Sequence, residues 1–307
     1  MSTTPTRPSR AGSDRTVFIL GGGASLGAHQ VGALRCLEEQ DIEPDVLICS
    51  SIGVINGAIY GSGGVPALEE AWESFYSLPK VLYPTWRDNI LNGFSLFSIE
   101  RLASALEEYI DFPKLLESRL DLEFILLNLS RGRGEMWSSQ LCQSWEELRG
   151  VTRAGYSIPG LFPPVNLRGE YCIDGGFACN IPLEHALDVG ATAIYVLAPI
   201  ASELPYKASF GGMFDYVPRL LDVFWRTIGN MGHLYAHIVD GCFHGVPTTI
   251  IEPRTELSGF SIFGLLNSYP EKARRLMDLG YEDTRRALEA GPVSRNHRPA
   301  AAALTSA

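Results

Sequence analysis

Residues 45–58 read DVLICSSIGVINGA, and this stretch decides the fold class. A short apolar run ends in Ser-Ser-Ile-Gly, and a helix of small residues follows. A strand that turns sharply into a helix presents a serine hydroxyl at its carboxyl end, beside the helix N–H groups. Ser51 is therefore a candidate nucleophile, although a serine before a helix also serves as an ordinary N-cap. The usual elbow is G-x-S-x-G. Gly53 supplies its second glycine and Cys49 replaces the first, which predicts a slightly wider turn.

A glycine-rich turn lies upstream, where residues 20–28 read LGGGASLGA after the apolar run Thr16–Leu20. Glycines bring backbone N–H groups close to a ligand, and a helix amino terminus adds unpaired donors, so the turn predicts an anion site. Either a dinucleotide pyrophosphate or the oxyanion of an attacked carbonyl fits such a site. The dinucleotide pattern is incomplete, because Leu26 stands where its third glycine belongs and the second strand ends in Ile48-Cys49-Ser50 without an acid.

A third motif, residues 171–176, reads YCIDGG. An acid and two glycines after an apolar run often form a simple turn. The catalytic alternative is that Asp174 takes the proton from Ser51, while Gly175 and Gly176 allow close approach to the elbow. A carboxylate is a weak base for a serine hydroxyl, so this role requires burial to raise its proton affinity.

The rest of the chain alternates short apolar runs with helical periodicity, which predicts an α/β fold with a mostly parallel sheet covered on both faces. The predicted strands are Thr16–Leu20, Asp45–Cys49, Leu122–Leu127, Thr192–Ala198 and Thr248–Glu252. The predicted helices are Ala28–Gln40, Pro66–Leu78, Ile99–Ile110, Ser144–Tyr156, Leu183–Val189, a segment from about Asp215 to Asp240, and Glu271–Ala290.

The domain organisation is expected to be simple. We expect a disordered leader over 1–14, one catalytic domain over 15–290 and a disordered tail over 291–307. The aromatic-rich segments 83–98, 205–216 and 257–269 are either packed surface loops or a lid and acyl-chain pocket.

Composition narrows the partners. The 307 residues carry 35 acidic and 25 basic side chains, a formal net charge of −10, so no general attraction for nucleic acid is expected. No apolar run is long enough to span a bilayer. The six cysteines form no CxxC pair and lie mostly in apolar or glycine-rich contexts, which indicates reduced thiols and a cytoplasmic location. Membrane contact, if any, is expected to be peripheral, through apolar loops.

The three motifs together resemble the patatin-like phospholipase family. Residues 51–58 are similar to its S-x-G-x-x-N-x-A segment, and residues 157–165, SIPGLFPPV, to its S-I-P-x-x-F-P-P-V block. The similarity extends from about Thr16 to Pro199. Two departures stand out: Cys49 in the elbow, and Leu26 where the family usually carries Arg or Lys.

This resemblance implies a three-layer α/β/α sandwich that hydrolyses acyl esters of lipids or phospholipids, without cofactor or metal. It implies that Ser51 is the nucleophile, that Asp174 is the base and that the reaction passes through an acyl-enzyme. The implied oxyanion donors are the N–H groups of Gly21, Gly22, Gly23, Ala24 and Ser25. The loss of a positive charge at Leu26 leaves the preference between phospholipids and neutral esters open.

Three alternatives remain. A Ser-His-Asp hydrolase would need one of the histidines that follow Asp174, which are His185, His233, His237, His244 and His297. His233 and His237 have the i, i+4 spacing of a metal pair but lack the H-E-x-x-H glutamate. The other two alternatives are an acyltransferase that uses the same acyl-enzyme, and a scaffold that binds lipid or protein without catalysis.

Overall fold

The computed structural model describes residues 14–74, 95, 97–201, 207–213, 216, 219–220, 223, 237–254 and 270–291. Within these ranges, ten strands form one sheet flanked by helices. The strands are β1 (Thr16–Leu20), β2 (Val46–Cys49), β3 (Asp121–Asn128), β4 (Arg133–Ser138), β5 (Val165–Leu167), β6 (Glu170–Asp174), β7 (Ala193–Leu197), β8 (Ile238–Val239), β9 (Cys242–Phe243) and β10 (Val246–Ile251). The helices are α1 (Ala28–Glu38), α2 (Ile52–Ser74), α3 (Ile99–Glu107), α4 (Phe112–Glu117), α5 (Trp145–Gly155), α6 (Leu183–Asp188) and α7 (Pro270–Ala290). Short 3-10 turns lie at Ala24–Gly27, Ser139–Leu141 and Gly175–Phe177.

The strand order is β5-β6-β3-β2-β1-β7-β10-β9-β8, with β4 paired to β3. The five strands from β3 to β10 in this order run parallel. Leu20, the last residue of β1, pairs with Cys49 of β2 and with Leu197 of β7. The carboxyl ends of these strands therefore meet at one edge of the sheet, where ligands bind in open α/β folds.

Helices cover both faces of this sheet. Val17–Leu20 and Val46–Cys49 are fully buried, although successive strand side chains point to opposite faces. Continuous apolar strands of this kind are typical of a doubly covered parallel sheet. The predicted α/β class with a mostly parallel sheet is confirmed.

Helix α7 docks on α1 at two glycines. A Cβ on Gly32 would lie 1.7 Å from the Met277 carbonyl oxygen, and one on Gly280 would lie 1.8 Å from the His29 carbonyl oxygen. The two backbones are thus closer than any side chain allows. The buried His29 Nε2 also lies 3.1 Å from Oδ2 of Asp283.

The predicted strands and most predicted helices match the structure to within a few residues. The helix expected near Pro66 instead begins at Ile52 and is kinked at Gly64, whose φ is 69°. The helix expected to reach Asp240 is wrong at its end, because residues 238–243 form the hairpin β8–β9 and both turn residues, Asp240 and Gly241, have positive φ. The expected leader and tail lie outside the described residues apart from Asp14 and Gly291, as do segment 257–269 and most of 83–98, whereas most of 205–216 is described.

No helix in the described ranges is long and apolar enough to cross a bilayer. Those ranges also hold no group of three His, Cys, Asp or Glu side chains arranged for a metal ion. All six cysteines are free thiols, and Cys36, Cys49 and Cys172 are buried.

Candidate active site

Ser51 lies directly after β2, at the sharp turn into α2. Its φ is 53°, a left-handed conformation that residues other than glycine seldom adopt and that often marks functional sites. The turn is tied to β1, because the Ser50 N–H donates to the Leu20 carbonyl at 3.0 Å. A Cβ on Gly53 would lie 2.1 Å from that same carbonyl oxygen. Glycine at 53 therefore lets the start of α2 lie against β1 and holds the elbow tight.

Cys49 stands at the elbow position where glycine was expected. Its side chain is fully buried, and its Sγ fills the space that a Cβ on Gly57, one turn into α2, would need. Gly57 thus relieves the crowding that a side chain at 49 would cause. Burial raises the pKa of the Cys49 thiol, so this neighbour of Ser51 stays protonated and is not a competing nucleophile.

Asp174 ends β6 and is held in place by its backbone and one carboxylate oxygen. Its N–H donates to the Ser157 carbonyl at 3.1 Å, and Oδ1 accepts a 2.8 Å hydrogen bond from the Gly176 N–H. A Cβ on Gly175 would lie 2.2 Å from the Ile125 carbonyl oxygen, so a glycine is required there for β6 to turn beside β3.

The second oxygen of this carboxylate, Oδ2, is buried without a hydrogen-bond partner in the described part of the chain. Burial of Asp174 raises the pKa of its carboxyl group to about 7, while the Ser51 side chain and the Gly176 N–H lower it by a smaller amount. The Ser51 hydroxyl therefore interacts with Asp174 without completing a hydrogen bond of standard geometry to Oδ2. Catalytic hydrogen bonds are often this loose before substrate binds.

Two N–H groups of the glycine-rich turn are hydrogen-bonded within the fold. The Gly21 N–H donates to the Leu197 carbonyl at 3.1 Å, and the Gly22 N–H donates to Oδ1 of Asn180 at 2.6 Å. These two donors are occupied within the fold. Gly23 and Ala24 lie before and at the start of the 3-10 turn Ala24–Gly27, where N–H groups have no acceptor within the turn.

The N–H groups of Gly21 and Gly22 therefore anchor the loop, and the other predicted oxyanion donors are those of Gly23, Ala24 and Ser25. The loop also packs closely on the elbow, because a Cβ on Gly22 would lie 2.7 Å from the Ser51 Cβ. Ser25 and Leu26 are buried, and Leu26 packs in the hydrophobic core.

Comparison with known proteins finds a family match over the part of the chain that carries the three motifs. The sequence model for "Patatin-like phospholipase" matches residues 18–187, a span that includes the glycine-rich turn, the elbow and Asp174. The chain belongs to the patatin-like phospholipase family. This patatin-like chain is 31% identical over 233 residues to "Lysophospholipase nte1" of Aspergillus niger and 29% identical to its namesake in Aspergillus terreus. Each alignment covers 69% of this chain but 13% of the relative, so the chain spans about an eighth of their length.

A solved structure of VipD from Legionella pneumophila also aligns with the patatin-like chain. The alignment covers 91% of this chain and 67% of VipD, with 14% sequence identity and a TM-score of 0.45.

The structure adds a buried polar network that the sequence motifs did not indicate. The Gln30 side chain donates from Nε2 to the carbonyls of Gly21 and Leu197 at 2.7 and 2.9 Å, and its Oε1 accepts from Asn56. Asn56 in turn accepts from the Trp72 indole N–H at 2.9 Å. Asn56 belongs to the S-x-G-x-x-N-x-A segment, but Gln30 carried no sequence signal. Through Gln30, the network holds the Gly21 carbonyl at the start of the glycine-rich turn.

Four of the six histidines lie in the described ranges, and within those ranges none of the four hydrogen-bonds to Ser51 or Asp174. His29 pairs with Asp283, and His185 Nε2 lies 3.4 Å from Glu123. His237 and His244 flank the hairpin β8–β9. His233 and His297 lie outside the described residues.

Proposed function

We propose that Ser51 and Asp174 form a catalytic dyad that hydrolyses acyl esters of lipids. The observation that carries this proposal is a serine in a strained left-handed conformation beside a fully buried carboxylate, one oxygen of which has no hydrogen-bond partner among the described residues. The raised pKa of Asp174, about 7, supports it, because a general base works best when its pKa is near the operating pH.

In the first half-reaction, Ser51 Oγ attacks the ester carbonyl carbon and its proton passes to Asp174 Oδ2. The N–H groups of Gly23 and Ala24 stabilise the negative charge that develops on the carbonyl oxygen. The tetrahedral intermediate collapses, Asp174 returns the proton to the leaving alcohol, and the acyl group stays on Ser51 as an ester.

In the second half-reaction, Asp174 takes a proton from water, and the resulting hydroxide attacks the acyl-enzyme carbonyl. Breaking the Ser51 ester bond releases the carboxylic acid, and the proton on Asp174 returns to Ser51 Oγ. One ester and one water thus yield one alcohol and one acid, and the dyad is regenerated.

The proposed substrates are lysophospholipids and related lipid esters. Support comes from the family and from relatives whose names describe them as lysophospholipases. Leu26 places an apolar side chain where the family usually carries a cation, so no charge at that position selects a phosphate head group.

We also propose where the lipid surface meets the protein. Five large apolar side chains are exposed by 44–77% and recur near helical spacing; they are Phe210, Met213, Tyr216, Leu220 and Val223, and we term them the apolar stripe. The rings of Phe210 and Tyr216 lie 5.9 Å apart, and large exposed apolar patches mark a binding surface. In sequence the stripe follows β7, and the residues directly after β7, Pro199 and Ile200, lie against Gly23 of the loop.

Fluorophosphonate labelling tests the dyad. The probe transfers its phosphonyl group to an activated serine, and the adduct is read by intact mass and peptide mapping. We expect one adduct on Ser51, present in the control variant Ser62→Ala and lost in Ser51→Ala. Ser62 is a buried serine of α2, remote from the elbow turn. Labelling that survives in Ser51→Ala would overturn the assignment.

A further inference from the structure

One asparagine, Asn180, hydrogen-bonds to both the glycine-rich loop and the elbow, which are distant from it in the sequence. Asn180 lies between the 3-10 turn Gly175–Phe177 and α6, and it is buried. Its Oδ1 accepts from the Gly22 N–H at 2.6 Å, and its Nδ2 donates to the Gly22 carbonyl at 3.2 Å. The same Oδ1 accepts from the Ser50 hydroxyl at 3.2 Å.

These bonds use both the oxygen and the nitrogen of the Asn180 carboxamide. Only a side chain with both an acceptor and a donor can bind the N–H and the carbonyl of Gly22 together. The two bonds fix the orientation of this stretch of backbone, and the next residues along the chain are Gly23 and Ala24. Because oxyanion donors act only at the correct distance from the developing charge, the orientation of Gly22 sets the usefulness of the N–H groups that follow.

The packing leaves little freedom for compensation. Gly22 is squeezed between Asn180 and the nucleophile, since a Cβ at Gly22 would lie 2.7 Å from both Asn180 Oδ1 and Ser51 Cβ. A shift of the carboxamide would therefore move the loop relative to Ser51. Ser50, one residue before the nucleophile, is held by the same oxygen.

We propose that Asn180 is a positioning residue that locks the glycine-rich loop to the nucleophile elbow in the orientation an oxyanion needs. The proposal rests on the proposed dyad, which it deepens. Asn180 touches neither substrate nor the transferred proton. It acts through Gly22 and Ser50.

The test compares Asn180→Ala with the matched control Asn128→Ala. Asn128 is also buried, and its side chain makes three hydrogen bonds, to Glu135, Glu170 and the Arg131 N–H, at the end of β3. With a water-soluble ester, we expect Asn180→Ala to lower kcat by about 10²-fold, the usual loss for a misplaced oxyanion donor, with KM changed by less than about threefold. Asn128→Ala should keep its kcat even if its thermal stability falls equally. Equal kcat losses in both variants would overturn the proposal.

Asn180→Asp tests whether the side chain at position 180 lies beside the proposed dyad. It keeps the shape and the acceptor oxygen but loses the donor to Gly22 and adds a carboxylate. Asn180 Oδ1 and Asp174 Oδ1 both lie within 3.5 Å of the point where a Gly176 Cβ would stand. A like charge this near disfavours ionisation of Asp174, so the rise of kcat/KM with pH should move to higher pH. An unchanged midpoint would count against the placement of Asn180 beside the dyad.

Hydrogen exchange distinguishes failure of this proposal from failure of the dyad itself. In all variants, exchange is measured on the peptide that covers residues 17–27. We expect lost protection at the Gly22 amide in Asn180→Ala and retained protection in Asn128→Ala, whether or not the protein hydrolyses any ester. Absence of Ser51 labelling in the wild type would overturn the dyad alone. Unchanged protection in Asn180→Ala would overturn the positioning role alone.

Discussion

Cys49 and Gly57 share one space: the Cys49 Sγ lies 2.5 Å from the point where a Cβ on residue 57 would stand. The thiol of the last β2 residue thus occupies a notch in α2 that glycine opens. The elbow thus accommodates a side chain at its first position, and Ser51 has a φ of 53°.

This pairing predicts a compensating double substitution. Cys49→Gly empties the notch and should lower the free energy of unfolding by about 1–2 kcal/mol. Gly57→Ala forces a methyl group onto the thiol and should cost about 1–3 kcal/mol. In the double variant the methyl group enters the emptied space, so the combined loss should be well below the sum of the two, as measured by urea unfolding. Strict additivity would show that the two residues do not compete for space.

Asp174→Asn removes the base while it keeps the shape of the side chain. We expect kcat to fall by about 10²–10⁴-fold, the usual contribution of a general base. Asp121→Asn is the matched control, because Asp121 is a buried aspartate at the start of β3, away from the elbow. If that control lost as much activity as Asp174→Asn, the effect would be structural.

Activity should depend on pH through Asp174. The base acts only when it is ionised, and burial raises its pKa to about 7. The value of kcat/KM, which reports the free enzyme, should therefore rise with pH up to about 7 and level off above it. A profile already flat at pH 5 would show that a group with an ordinary carboxyl pKa, or none, controls the rate.

The raised pKa of Asp174 also makes the stability of the fold depend on pH. The folded pKa of Asp174, about 7, exceeds its unfolded value of 3.8, so between these two pH values the folded state binds more protons. The contribution of Asp174 to the free energy of unfolding must then decrease as pH rises from about 4 to about 7. Asp174→Asn lacks this decrease, and chemical denaturation at pH 5 and pH 8 measures the difference.

Substitutions in the apolar stripe should uncouple lipid binding from chemistry. Met213→Asp places a charge at the stripe's most exposed side chain. We expect weaker co-sedimentation with phosphatidylcholine vesicles and slower hydrolysis of lipid in those vesicles, because the buried apolar area is lost. Hydrolysis of a water-soluble ester should be unchanged. Leu141→Asp, at an exposed leucine outside the stripe, is the control that should leave vesicle binding intact.

The positive φ of Ser51 is expected to lower the free energy of unfolding. Both Ser51→Ala and Ser51→Gly remove the hydroxyl, but only glycine adopts positive φ without steric strain. We expect Ser51→Gly to be more stable than Ser51→Ala by about 1 kcal/mol. At Ser62, which lies in α2 before the Gly64 kink and does not have positive φ, the order should reverse. The same order at both positions would show that the Ser51 turn is not strained.

Much of the fold could be predicted because its central strands are continuous apolar runs with clear turn residues at their ends. The strands β1, β2 and β7 belong to this class. The strands β4 and β5 did not stand out because they are short or partly exposed, and their pairing with distant segments decides their structure. Ser51 and Asp174 could be proposed as a dyad because each follows an apolar run and is followed closely by glycine, Gly53 after Ser51 and Gly175 and Gly176 after Asp174.

Asn180 and Gln30 could not be recognised in the same way. Asn180 is 158 residues from Gly22 and 130 from Ser50, and neither local spacing nor residue type reveals such a pairing. Gln30 lies inside an otherwise apolar face of α1 and looks like an interruption until its carbonyl partners are seen. The N–H groups of Gly21 and Gly22 are used within the fold, and their acceptors on Leu197 and Asn180 likewise cannot be recognised from the sequence.

The close packing of α7 on α1 at Gly32 and Gly280 affects where the chain can be truncated. The family motifs end before residue 188, yet β1 is flanked on one side by β7, and α1 is covered by a helix that begins at Pro270. A fragment cut after the motifs would keep every residue of the proposed dyad and would expose the edge of its central strand and the glycine face of its first helix. A fragment that ends at the motif boundary would therefore lack β7 and α7, which pack on β1 and α1, and we expect it to be less stable than a variant that keeps both.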